Sequence, residues 1–219
     1  MSRGVVRFGT SFSARHVLAD GTAITLRLVQ PTDRAEFDRQ FRRMSPDSRY
    51  RRFFTGIHEL TPSMLDYLTI IDGHDHFAIC AFTESLDLKE EQGVGVARFV
   101  RLVGERDVAE AAVTVVDDFQ GRGLGKLLLI TLVEAAHERG VHKFRGEVLA
   151  SNEPMCKLLE TAGAKGRDSG DGALIFDVPL EAPHEGSLTR RILSAVATSM
   201  AVWLSRIYPG GHPEPVTRT

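Results

Sequence analysis

The chain has 219 residues, enough to bury one sizeable core with a short appendage. Its 42% apolar and 26% charged content is that of a globular protein, and a net charge of −2 gives no electrostatic reason to expect nucleic acid as a partner. The two cysteines, Cys80 and Cys156, lie far apart in apolar or amphipathic surroundings, and no basic-plus-apolar leader or run of about 18 apolar residues occurs, so a cytoplasmic protein with no disulfide framework and no membrane span is expected.

Residues 1–19 mix glycine, serine and arginine with few apolar residues and are expected to form an N-terminal arm, partly ordered at best. From Ala23 to Val29 apolar and polar residues alternate at first, as in a strand. Pro31-Thr32-Asp33 then stops the strand, with Asp33 placed to cap a helix carrying Phe37 and Phe41. Ser45-Pro46 and Thr61-Pro62 repeat the device of a capping hydroxyl with proline at the first helical position, the second ahead of Met64, Leu65 and Leu68. His76 to Phe82 and Val94 to Arg101 are strand candidates, and the acidic stretch Glu84 to Gln92 between them reads as a hairpin loop.

Glu110 to Val116 is the next strand, followed by the glycine-rich run Gln120-Gly121-Arg122-Gly123-Leu124-Gly125-Lys126 and an apolar helix from Leu124 to about Arg139, with Gly140 as its C′ residue. Lys143 to Leu149 resumes the sheet, Asn152 to Ala162 is an amphipathic helix closed by Gly163, and Ala173 to Val178 is the last strand. Hairpins first and helix–strand alternation later predict an α/β domain with a mixed sheet. After Pro179, a linker through Gly186 leads to a segment with Leu188, Ile192, Val196, Met200, Trp203 and Ile207 at helical spacing. Residues 181–219 are therefore read as a linker and a C-terminal amphipathic helix. Packing on the domain, forming a homodimer, and lying on a membrane surface are all open to it.

The glycine-rich run carries the chemistry. Glycines remove Cβ atoms where a backbone must approach something closely, and the helix that follows presents free N–H groups and a positive dipole end to the same spot. A phosphate is the usual occupant of such a junction. A P-loop is excluded because Gln120 stands where its first glycine should be and Leu127 where its Ser/Thr should be. A dinucleotide fingerprint is excluded because its third glycine would fall on Lys126 or Leu128. The spacing that fits is Gln-x-x-Gly-x-Gly, read at Gln120, Gly123 and Gly125 behind Val113-x-Val115. Backbone N–H groups from Gln120 through Gly121, Arg122, Gly123, Leu124 and Gly125 to Lys126 can bond a pyrophosphate there, with Arg122 and Lys126 adding charge.

This combination resembles the acetyl-CoA loop of the GNAT family of N-acetyltransferases, and the order of elements from about Leu18 to Pro179 is similar to a whole GNAT domain, placed at residues 20–180. Asp20 to Arg27, Pro31-Thr32-Asp33 and Phe41 to Phe54 resemble more narrowly the branch of bacterial protein-lysine acetyltransferases. The resemblance implies a GNAT fold, a mixed, mostly antiparallel twisted sheet flanked by helices, with the C-terminal helical tail outside it. It implies acetyl-CoA as co-substrate and direct attack by an amine in a ternary complex with no metal. The acceptor implied is a lysine on a protein, with a small amine or amino acid, or acetyl-CoA sensing without turnover, as the alternatives. A fused regulatory module is not expected within this length.

The same resemblance assigns roles. Val113 and Val115 meet the pantetheine arm, with the Val115 N–H near the thioester oxygen as an oxyanion donor. Glu110 is the general base, five residues before Val115 at the start of its strand. Asn152 bonds the pantetheine amide, a role compatible with capping its helix. One departure stands out: where many members carry a tyrosine as general acid, seven residues past that asparagine, this chain has Leu159. Tyr50, Tyr67, a histidine or solvent is left to protonate the thiolate. Asp72-Gly73-His74-Asp75-His76 reads as a turn before a strand, in preference to a metal site. Arg42, Arg43, Arg49, Arg51 and Arg52 read as a solvated helix face with intrahelical pairs.

Overall fold

The computed structural model describes residues 7–46, 58–84, 91–151, 153–161, 164–170 and 172–180. Eight strands form one sheet: β1 (Ser13–Val17), β2 (Ala23–Leu28), β3 (His76–Glu84), β4 (Glu91–Leu102), β5 (Glu105–Val115), β6 (Lys143–Leu149), β7 (Gly166–Asp168) and β8 (Ala173–Pro179), in the spatial order β1-β2-β3-β4-β5-β6-β8-β7. Every neighbouring pair is antiparallel except β5 and β6. That parallel pair is joined by a helix, the crossover a parallel connection needs.

The helices are α1 (Arg34–Arg43), α2 (Pro62–Thr69), α3 (Leu124–Glu138) and α4 (Glu153–Thr161). They divide between the two faces of the sheet. On one face, Leu124, Leu128 and Leu132 of α3 and Cys156 and Leu159 of α4 join Phe77, Ile79, Phe99, Ala111, Phe144 and Phe176 in a single apolar cluster. On the other, Phe37 and Phe41 of α1 and Leu65 and Leu68 of α2 cover Ala78, Cys80, Phe82 and Val96. Strand alternation accounts for the split: odd positions of β3 and, from Gly95 onward, of β4 face α3, and even positions face α1 and α2. The order reverses at Gly93 and Val94, across the register shift opposite Ala81 and Phe82. Gly95 lets α3 come close, because a Cβ there would stand 2.9 Å from Leu128 Cδ1.

Several expectations need correcting. The supposed arm contributes an edge strand, β1, and buries Phe8 and Leu18 in the core. Arg7 and Phe8 are tied to Glu134 and Glu138 of α3, residues more than 120 positions away that no local pattern could reveal. Asp33 does not cap α1 with its side chain. Its buried carboxylate takes the Arg27 guanidinium at 2.6 and 2.8 Å and the Gln30 N–H at 2.7 Å, tying strand β2 to the turn that follows it. Strand β5 starts at Glu105, five residues earlier than expected, because the turn at Gly104 (φ +87°) folds Glu105 back onto Leu102.

Other expectations hold. The Thr61 hydroxyl accepts the Met64 N–H at the start of α2. Gly140 (φ +71°) closes α3 with its N–H on His137 O and the Val141 N–H on Ala136 O, a Schellman arrangement. Asp72 Oδ1 accepts the N–H groups of His74, Asp75 and His76, so that segment is a tight turn. Arg42 pairs within its helix with Asp38, whereas Arg43 reaches out to the Gly93 carbonyl and Asp118. Of the loop expected over Glu84 to Gln92, Glu84 ends β3 and Glu91 and Gln92 begin β4. Its residues 85–90, the helix expected after Ser45-Pro46, Asn152 and the 181–219 tail lie outside the described residues. Among the described residues no helix is long and apolar enough to cross a membrane.

Candidate active site

Strands β5 and β6 stay paired only over Val108–Lys143, Ala109–Phe144 and Glu110–Arg145. Beyond that point β5 runs on to Val115 and β6 to Leu149 without pairing, so the sheet parts into a wedge. The inner edge of β5 is thereby exposed. Val116 donates its N–H to Val94 O on β4, and alternation turns the N–H groups of Val113 and Val115 the other way, into the wedge. Two backbone donors thus line the gap without a strand to receive them.

The loop after β5 supplies more. Gly121 (φ +73°) and Gly123 (φ +87°) adopt left-handed backbone, and the space where their Cβ atoms would sit is open. Gly123 is the N-cap of α3, which places the first turn of the helix directly at the mouth of the wedge. The N–H groups of residues 121–126 find no acceptor among the described residues. Six unspent donors at a helix N-terminus suit the pyrophosphate of a coenzyme. Gln120 is different. Its own N–H is bonded to Asp117 O, and its side chain donates to Val115 O at 3.1 Å and Asp117 Oδ1 at 2.9 Å. It braces the turn and occupies the Val115 carbonyl, while the Val115 N–H stays available.

The side chains around the loop sort equally clearly. Leu124 is fully buried and anchors α3, so only its backbone faces the site. The Arg122 guanidinium lies 4.7 Å from the Phe119 ring centroid and 3.4 Å from Asp20, at the rim. Lys126 is half-buried in the first turn of α3. Leu159, at the place where a tyrosine acid would be sought, is fully buried in the core, and Cys156 is a buried thiol whose pKa is raised by its burial.

Glu110 sits at the last paired position before the strands part, mid-strand and half-buried. It belongs to a row of partners crossing five strands: His76, Val100, Glu110, Arg145 and Asp177. No hydrogen bond or ion pair involves its carboxylate among the described residues. Burial holds its pKa above the usual carboxylate range; the Arg145 charge opposes that shift and Glu147 adds to it. Arg145 is occupied elsewhere, on Asp177 and Glu105. At the far end of the row, burial and the neighbouring Arg98 charge push the His76 imidazole down to about 4, so it is neutral near pH 7. Its Nε2 lies 3.2 Å from Arg98 Nη1 and its ring packs at a tilt against Tyr67, 4.9 Å between centroids.

Of the residues in this row and beside it, sequence reasoning does not single out Arg145 and Glu147, and it reads His76 only as part of a turn before a strand. A signal was present for two of them: in Lys143-Phe144-Arg145-Gly146-Glu147-Val148 charges alternate with apolar residues or glycine, which puts three charges on one face of a strand. A free carboxylate, fixed N–H donors along the wedge and an anion-binding helix end are the parts needed to deprotonate an amine and hold an acyl donor beside it.

Comparison with known proteins agrees with this geometry. Residues 38–164 match the profile described as the Acetyltransferase (GNAT) family. Acetyltransferase PA5475 of Pseudomonas aeruginosa is 35% identical over 162 residues, 73% of this chain and 84% of that protein. Acetyltransferase Pat of Mycolicibacterium smegmatis is 33% identical over 164 residues, 70% of this chain and 48% of its own length, so the chain spans about half of that relative. The solved GNAT domain of S. lividans PAT superposes with a TM-score of 0.64 at 27% identity, over 77% of this chain and 97% of that domain. The chain belongs to the GNAT family, and it is an acetyl-CoA-dependent acetyltransferase.

Proposed function

We propose that this enzyme acetylates a lysine side chain on a protein, with Glu110 as the general base. The observation that carries the reading is the half-buried Glu110 carboxylate, without a hydrogen-bond partner among the described residues, where β5 and β6 part. A lysine amine is protonated near neutral pH and has no lone pair for attack until a base removes a proton. A carboxylate whose pKa is raised by burial is better matched to that task than a solvated one. Acetyl-CoA supplies an activated thioester. The N–H groups of residues 121–126 would hold its pyrophosphate, and the Val113 and Val115 N–H groups would meet its pantetheine arm. The Val115 N–H would then stand ready for charge developing on the carbonyl oxygen. Leu159 offers no proton, which leaves Tyr50, Tyr67, a histidine or solvent to protonate the departing thiolate. Asn152, the residue before α4 in sequence, is assigned to the pantetheine amide. The sequence likeness of Asp20 to Phe54 to protein-lysine acetyltransferases supports the protein acceptor, and the protein is assigned to the cytoplasm.

The test is CoA release from acetyl-CoA with lysate protein as acceptor, coupled to detection of acetyl-lysine, for wild type and Glu110→Gln. Lysine acetylation that falls roughly 10²- to 10⁴-fold in the variant is the expected result. Turnover within a few-fold of wild type would remove Glu110 from the mechanism. CoA release only with small amines would move the acceptor to that class.

A further inference from the structure

Glu110 and Arg145 are direct cross-strand partners on one face of the sheet, with backbones about 4.8 Å apart, yet their opposite charges do not pair. The guanidinium is turned the other way. Its Nε donates to Asp177 Oδ1 at 2.6 Å and Nη2 to Asp177 Oδ2 at 2.9 Å. Nη1 and Nη2 donate to the two oxygens of Glu105 at 2.7 and 3.1 Å. Two carboxylates, one from β8 and one from the start of β5, thus grip the planar fork along both edges, the strongest geometry open to an arginine. Arg167, on β7, adds a second cation to Asp177 at 3.4 Å.

Resting on the reading of Glu110 as the base, we infer that Glu105 and Asp177 are positioning residues whose grip on Arg145 keeps that cation off Glu110 and leaves the base free to accept a proton. Without the grip, the nearest fixed cation would be drawn to the carboxylate one strand away. An arginine–glutamate pair there would hold the carboxylate ionised, weaken it as a base and block the approach of the acceptor ammonium. The other charged or titratable groups facing Glu110 do not substitute for this pair. Glu147, two residues beyond Arg145 on β6, is itself an anion. On β4, Arg98 is buried under α2 with its Nη2 on Leu68 O. His76 on β3 is separated from Glu110 by Val100. The neighbours of Glu110 on its own face of β5, Val108 and Ala112, carry no charge.

The experiment is a carboxyl-¹³C NMR titration of Glu110, assigned by its loss in Glu110→Gln, in wild type, Arg145→Gln, the double variant Glu105→Gln/Asp177→Asn, and the triple variant combining all three. The midpoint is expected to fall by about one pH unit or more in the double variant. It should rise in Arg145→Gln and return to or above the wild-type value in the triple variant. A general loosening of the sheet would not move it in opposite directions. The acid limb of kcat/KM against pH should follow the same order. Should the double variant not fold, Glu105→Gln alone, at the more exposed end of the grip, is expected to shift the midpoint in the same direction. A midpoint unmoved by breaking the grip, or moved the same way by both changes, overturns the inference. An active Glu110→Gln enzyme instead overturns the assignment of the base, whatever the titration shows.

Discussion

At the scale of single residues, the proposed chemistry rests on a charge kept out of its obvious pairing. Glu110 is legible in the sequence only through its place ahead of Val113-x-Val115. Its lack of a partner is not legible, because it depends on where Arg145, Glu105 and Asp177 point after three strands have assembled. His76 shows the same limit. It reads as the end of a turn, and only the packing of Arg98 and Tyr67 around it shows that the imidazole is held neutral. That neutrality couples to stability. Unfolded, His76 takes up a proton below its ordinary value of 6.5, whereas folded it resists until about 4. Its contribution is therefore complete above pH 6.5 and is lost as the pH falls from 6.5 towards 4. The loss should amount to about 2 kcal/mol, less than the full shift because the ring is partly solvated. His76→Gln keeps an acceptor for Arg98 and removes the titration. Urea unfolding at stepped pH should show a correspondingly shallower fall for the variant between pH 6.5 and 4; parallel curves for the two proteins would refute the coupling.

At the scale of elements, the stretch from β5 into α3 is the part of the molecule most fully written in its sequence. The end of the strand, the glycines and the Schellman closure at Gly140 all follow from short-range rules of backbone conformation, and each is found in place. What those rules miss is the division of labour within the loop. Gln120 matches the motif but spends its groups on Val115 and Asp117, while the donors left over begin one residue later. Gly125 separates folding from binding in this element. A Cβ there would meet only Val115 Cγ2 at 3.8 Å, an ordinary contact, and the residue is helical. Gly125→Ala should therefore melt at or slightly above the wild-type temperature, alanine being the better helix former by up to about 1 kcal/mol. The added methyl stands beside the unspent N–H groups and should impede phosphate from reaching them. Losing one charge-assisted hydrogen bond corresponds to roughly tenfold to hundredfold weaker acetyl-CoA binding by calorimetry. Unchanged affinity would place the phosphates elsewhere.

At the scale of the whole molecule, sequence periodicity locates the central strands and helices well and fails at the edges of the sheet. Strand β7 has three residues, and β1 follows a segment whose apolar residues, Phe8 and Phe12, show no regular spacing. Both are fixed by partners far away in the chain, a kind of information that local patterns lack. The consequence is largest at the N-terminus, where a stretch composed like an arm closes one end of the core. Phe8 is 2% exposed, its ring 4.8 Å from that of Phe12 and edge-on to Phe77 at 6.4 Å. Its N–H reaches Glu138, and its carbonyl accepts Arg139 Nη2 at 2.7 Å. Arg139 in turn stacks on Phe77 and donates to Gly73 O, so the segment, the end of α3 and the turn before β3 are held as one unit. An arm would tolerate substitution at Phe8; a core residue would not. Phe8→Ala should destabilise the protein by about 3 kcal/mol or more in chemical denaturation, as truncation of a buried phenylalanine does elsewhere. Because Phe8 packs at the C-terminal end of α3, a helix length away from Gly123, the folded fraction should keep wild-type affinity for acetyl-CoA. A loss of stability below about 0.5 kcal/mol, the range of ordinary surface changes, would return the segment to the status of an arm.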